Sequence, residues 1–227
     1  TILVSDWSSD VCSSDLFTSA LGGGFVTAMT VFIKHVLGFL GFSGFLKGAL
    51  DAVNYSFSFL AIQLAGFTLA TKQPSATAAF LAKTLSTSTR ESGLAIFYIL
   101  RAQIVAVIGN VSAVIPICFF TSLAFQKFGY PIMSLEEAHS VFASTHLLGP
   151  TVVFACFTGV LLFLSSLFAG WFENFCIVTS LPTRLRHNAK LNVLLGKKFA
   201  LSISEFVRTN SNALAANISL GILLGLV

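Results

Sequence analysis

Residues 151–172 read TVVFACFTGVLLFLSSLFAGWF, and no Asp, Glu, Lys or Arg occurs between Glu137 and Glu173. As an α-helix rising about 1.5 Å per residue, this stretch is roughly 33 Å long. A bilayer hydrocarbon core is about 30 Å thick. Basic residues come after it: Arg184, Arg186, Lys190, Lys197, Lys198 and Arg208. An apolar span with a basic flank is the pattern of a membrane helix emerging into the cytoplasm.

Composition supports the same solvent. The chain is 55% hydrophobic and 10% charged, whereas soluble domains carry about 25% charged residues. So few charges cannot cover a water-facing surface. The formal charge of +4 sits between apolar runs, as cytoplasmic loops require, so nucleic acid is not expected as a partner. Cys12, Cys118, Cys156 and Cys176 form no C-x-x-C pair, so no zinc or redox motif is indicated and no cofactor is expected.

Residues 6–16, DWSSDVCSSDL, are rich in Ser and Asp and do not match the apolar chain beyond them. Read back into codons, they resemble a common sequencing adapter. Residues 1–16 are therefore expected to be a non-native tail, set aside from fold reasoning. Without Asp6, Asp10 and Asp15 the formal charge rises from +4 to +7. Residues 17–227 read as the C-terminal membrane-domain fragment of a longer protein.

The expected fold is all-α: a polytopic membrane protein with about five transmembrane helices and short interfacial helices. The spans fall at about 20–42, 50–70, 103–125, 151–172 and 212–227, and residues 76–85 suit an interfacial helix. Asp51 is expected at the mouth of the second span, and no acid fully inside the membrane. Pro116 is expected to kink the third. Basic residues place loops 72–101 and 173–208 in the cytoplasm and 126–150 outside, although Lys34 and Lys47 then face outward. The glycines at 22–24, and Gly221 with Gly225, suit close helix approach. Gly-rich faces of this kind suit a homo-oligomer, and the basic loops suit anionic lipid.

The polar residues in and beside the spans are the candidate functional groups. Asn54, Gln63, Asn110 and Asn217 lie inside spans, where amides need partners and where intramembrane polar groups mark substrate paths. Lys72 and Arg101 flank spans as interface anchors or anion-binding groups. Gln73 comes directly after Lys72, and Glu173 and Asn174 directly after the fourth span.

Several stretches carry a resemblance: Asn54-Tyr55, LATKQP at 69–74, Gly109-Asn110, the run from Leu164-Ser165-Ser166 to GWFEN at 170–174, and LPTRLR at 181–186. In this order the chain resembles the bacterial integral-membrane family of site-specific recombinases, first named from a gonococcal example. The resemblance implies a C-terminal membrane part, but it supplies no catalytic residues to carry over. Tyrosine recombination needs a Tyr nucleophile with Arg and His around the scissile phosphate, and Tyr55, Tyr98 and Tyr130 lack that setting. Three readings remain: an inner-membrane protein of unspecified biochemistry, a transporter or channel using intramembrane Asn and Gln, and a membrane-tethered DNA recombinase.

Overall fold

A computed structural model of the protein describes residues 13–72, 89–129, 132–145 and 149–226. Gln73 and the expected helix at 76–85 lie outside the described residues. Among those described, the structure is all-α with no strand. The helices are α1 (Ser13–Phe39), α2 (Gly44–Leu64), α3 (Thr89–Lys127), α4 (Leu135–Ser144), α5 (Pro150–Val178), α6 (Leu181–Arg186), α7 (Ala189–Leu195) and α8 (Lys197–Gly225), with a 3₁₀ turn at Ala70–Lys72.

Three helices are long and apolar enough to cross a membrane, over Ser14–Phe39, Ser92–Lys127 and Pro150–Val178. The chain is thus an all-α membrane protein. The expectation of five spans is not matched by five helices of that kind among the described residues. The other two, α2 and α8, carry too many polar groups, and their packing explains why. The main contacts run α3 to α1, α1 to α2, α2 to α8 and α8 to α5. α1, α2 and α8 lie inside this row with protein on two sides, so they can carry polar groups, as α2 and α8 do. α3 and α5, at its ends, expose most of their surface. A helix facing lipid must be apolar, whereas one facing other helices can carry small and polar residues.

Two spans are longer than the hydropathy pattern suggests. α3 begins at Thr89, well before Gln103, and continues unbroken through Pro116. α8 begins at Lys197, inside the expected basic loop. Its exposed first half is polar, with an ion pair between Glu205 and Arg208. The guanidinium of Arg208 holds the Glu205 carboxyl below its usual range.

Small residues set the helix spacing. A Cβ on Gly109 would lie 2.6 Å from Ala20 Cβ. One on Gly221 would lie 2.5 Å from Ser56 Cα, and one on Gly225 would lie 2.7 Å from Ala52 Cβ. The G-x-x-x-G pair of α8 is therefore filled from within the chain, by α2. Ser134 caps α4 in a capping box with Glu137. Between α5 and α8 the chain turns at Ser180 (φ 50°) and Gly196 (φ 83°). Ser204 Oγ donates to the Pro182 carbonyl at 2.7 Å, tying α6 to α8.

Candidate intramembrane polar site

α2 stops at Leu64, short of the expected end at residue 70, and the next eight residues do not continue as α-helix. Gly66 turns the chain at φ 69°, in the left-handed region that suits glycine. The segment then runs between α1 and α3. Irregular backbone inside a helical bundle must find a partner for each N–H and C=O, and here the partners are identifiable. Phe67 N donates to Ile62 O at 2.9 Å and Thr68 N to Ser19 O at 3.1 Å. Ser19 Oγ donates to Gly66 O at 2.9 Å. Gln103 Nε2 donates to Ala70 O at 3.0 Å.

Asn110 is the principal clamp. Its Oδ1 accepts from Ala70 N at 2.9 Å. Its Nδ2 donates to Ala20 O at 2.6 Å and to Thr68 O at 3.0 Å. One buried amide thus joins α3, α1 and the unwound segment. It lies at the middle of Ser92–Lys127, the stretch long enough to cross a membrane. Gly23 and Gly24 make the approach possible: a Cβ on Gly23 would meet the Thr68 carbonyl carbon at 3.0 Å, and one on Gly24 the Asn110 Cα at 3.0 Å.

The segment ends on a cation. Lys72 donates to Asn217 Oδ1 of α8, and its Nζ lies 3.9 Å from the Phe59 ring centroid. Asn217 in turn donates to Ala213 O at 2.7 Å. Lys72 is therefore drawn back between α2 and α8. It does not stand out as an anchor at a span end, which was one expectation for it.

The other predicted residues are dispersed. Asn54 is buried on α2 and donates to Thr30 O at 3.0 Å, joining α1. Gln63 is half-buried near the end of α2. Arg101 and Asn174 are exposed on α3 and α5. Glu173 lies within α5, which continues to Val178, and accepts from Asn212 Nδ2 at 2.7 Å.

The sequence pattern did not point to Gln103 or to the burial of Asp51, whereas Asn217 was legible as an amide inside a span. Asp51 is 5% exposed. It lies seven residues into α2, about 10 Å along the axis, packed beside Lys34 of α1. The helix bundle thus buries an acid. The signal in the sequence was the pairing of Lys34 with Asp51 across a short turn: two charges in apolar helices are less costly when they face each other.

The family model described as site-specific recombinase matches residues 14–227. The chain belongs to that family. No curated protein and no solved structure matches it. Two stretches that carried the resemblance, Leu69–Lys72 and Gly109-Asn110, meet at the clamp formed by Asn110. LPTRLR is α6 itself, and GWFEN lies on the last turns of α5. Tyr55 accepts a hydrogen bond from Lys34 at 3.3 Å, and Tyr98 is exposed on α3. Among the described residues, no group of three or more His, Cys, Asp or Glu is placed to hold a metal ion.

Proposed function

We propose that this member of the recombinase family is a transporter-like multi-pass protein of the bacterial inner membrane, in which the unwound segment at 65–72 holds an anionic group in transit. The observation that carries the reading is the Asn110 clamp: irregular backbone held against the centre of an apolar helix, leading to a cation drawn in between two helices. Transporters place substrate sites at broken helices near the bilayer midplane, where freed backbone groups and a few polar side chains face the solute. Lys72 supplies charge and Asn217 and Gln103 supply amides, a set suited to a carboxylate or phosphate. Anionic lipid at α6 and α7, with Arg184, Arg186 and Lys190, belongs to the same proposal. So do cytoplasmic loops at 72–101 and 173–208, which their basic residues support. A homo-oligomer would have to form elsewhere than on the Gly221 face, which α2 covers.

The test is uptake of radiolabelled phosphate, sulfate and glutamate into proteoliposomes of the purified chain. Uptake of one of them, lost in Asn110→Ala and in Lys72→Gln, supports the proposal. No uptake of any, together with binding of labelled duplex DNA that is lost in Arg184→Ala/Arg186→Ala, overturns it in favour of a membrane-tethered DNA enzyme.

A further inference from the structure

We propose that Asp51 is a proton-binding site inside the bundle, the place where a coupling proton is taken up and released. This rests on the transport reading for its purpose but not for its test. Asp51 is one of the few charged groups the fold buries: its side chain is 7% exposed against 42% for Lys34. Its Oδ2 lies 4.0 Å from Lys34 Nζ, a loose pairing. Its Oδ1 is buried and has no hydrogen-bond donor among the described residues.

The nearby donors are committed elsewhere. Lys34 Nζ donates to Tyr55 OH at 3.3 Å and lies 5.4 Å from that ring's centroid. Asn54 Nδ2 donates to the Thr30 carbonyl, and Ser58 Oγ to the Asn54 carbonyl. A carboxylate with one bare oxygen in an apolar setting is costly, and a proton on that oxygen removes the charge.

The charged surroundings are simple. α1 brings Lys34 and, one residue on, His35. α2 brings Lys47 one turn before Asp51 and Tyr55 one turn after. α8 packs Gly225 onto Ala52 and reads ALAANISLGILLG from Ala213 to Gly225, with no titratable side chain. On α4, Glu137 acts electrostatically on His35. The step is one proton joining the carboxylate and leaving again, exchanged with water. No bond other than O–H forms or breaks.

A hydrophobic carbodiimide tests this on the full chain in lipid vesicles, because it adds to protonated carboxyl groups shielded from water and leaves a stable N-acylurea. The label is read as a mass increment on the peptide containing Asp51. Only a protonated carboxyl shielded from water reacts, so label is expected on Asp51 and not on the exposed carboxyls of Glu136 and Glu205. It is absent in Asp51→Asn. No label on Asp51 overturns the proposal, as does label that falls equally on Glu136 and Glu205. The parent protein reads the site even if a variant fails to fold. If anion uptake is absent but labelling behaves as expected, the proton site stands and the transport reading falls. If uptake occurs and Asp51 stays unlabelled, the proton site alone falls.

Discussion

Asn110→Ala removes the groups that hold the unwound segment, and its cost can be worked from the hydrogen bonds lost. Two are donations from Nδ2, to Ala20 O and Thr68 O. Interhelical hydrogen bonds in membrane proteins average about 0.6 kcal/mol, so these two contribute roughly 1 kcal/mol. The third differs in kind. Ala70 N loses its acceptor, and a buried N–H left without a partner costs about 1–3 kcal/mol. The sum is about 2–4 kcal/mol, most of it from one backbone group. Asn110→Asp keeps an acceptor for Ala70 N and loses only the donations, so it should cost less than Asn110→Ala if its carboxyl stays neutral. Asn174→Ala, on the exposed face of α5, serves as the reference and should change stability by under about 0.5 kcal/mol. Reversible unfolding of the purified protein in mixed detergent–lipid micelles, titrated with a denaturing detergent, measures all three. If Asn110→Ala matches Asn174→Ala, the segment at 65–72 does not depend on the amide, and both the clamp and the site built on it are wrong.

Glycine substitutions separate packing from helix propensity. Gly221→Ala should destabilise by more than about 1 kcal/mol, because its Cβ meets Ser56 backbone. Gly159→Ala, where nothing lies within 4 Å of the added Cβ, should be neutral or stabilising. The same micelle titration compares them. The Glu137 carboxyl is held below its usual range, first by the Ser134 backbone N–H and then by the Ser134 hydroxyl. A carboxyl lowered by folding stabilises above its unfolded value of about 4.3 and loses that contribution as pH falls through the folded value. Hydrogen exchange of α4 amides, corrected for intrinsic rates, should therefore accelerate in acid, and Glu137→Gln should flatten the response. Single cysteines placed at Glu136 and at Arg184 in an otherwise cysteine-free chain should react with an impermeant maleimide from opposite faces of sealed vesicles. Labelling from the same face would reject the proposed orientation.

The sequence determined the solvent and the class of fold. Residues 151–172 hold no charge, and a segment like that is stable in hydrocarbon only if its backbone bonds to itself. Length and hydropathy therefore sufficed to place α1, α3 and α5. Asn54 and Asn110 were also legible as groups needing partners, since an amide in an apolar run has few other fates. Hydropathy could not rank the helices by position. The most apolar, α5, lies at the edge of the row, because lipid contact demands apolar surface. α2 and α8 read as weaker spans because each packs one face on the other and can keep small and polar residues there. Nor could periodicity end α2 at Leu64, because the next residues are as apolar as the helix. What stops it is Gly66 turning the chain into the space that Gly23 and Gly24 leave open, with Ser19, Gln103 and Asn110 taking up the freed backbone groups. Asp51 read as a charge at a span mouth and Lys34 as a misplaced lysine, and they became a pair only when α1 and α2 were laid side by side. Solvent preference is a property of each segment and can be read one residue at a time, whereas the partner of a buried polar atom is a property of two segments and is fixed only when they pack.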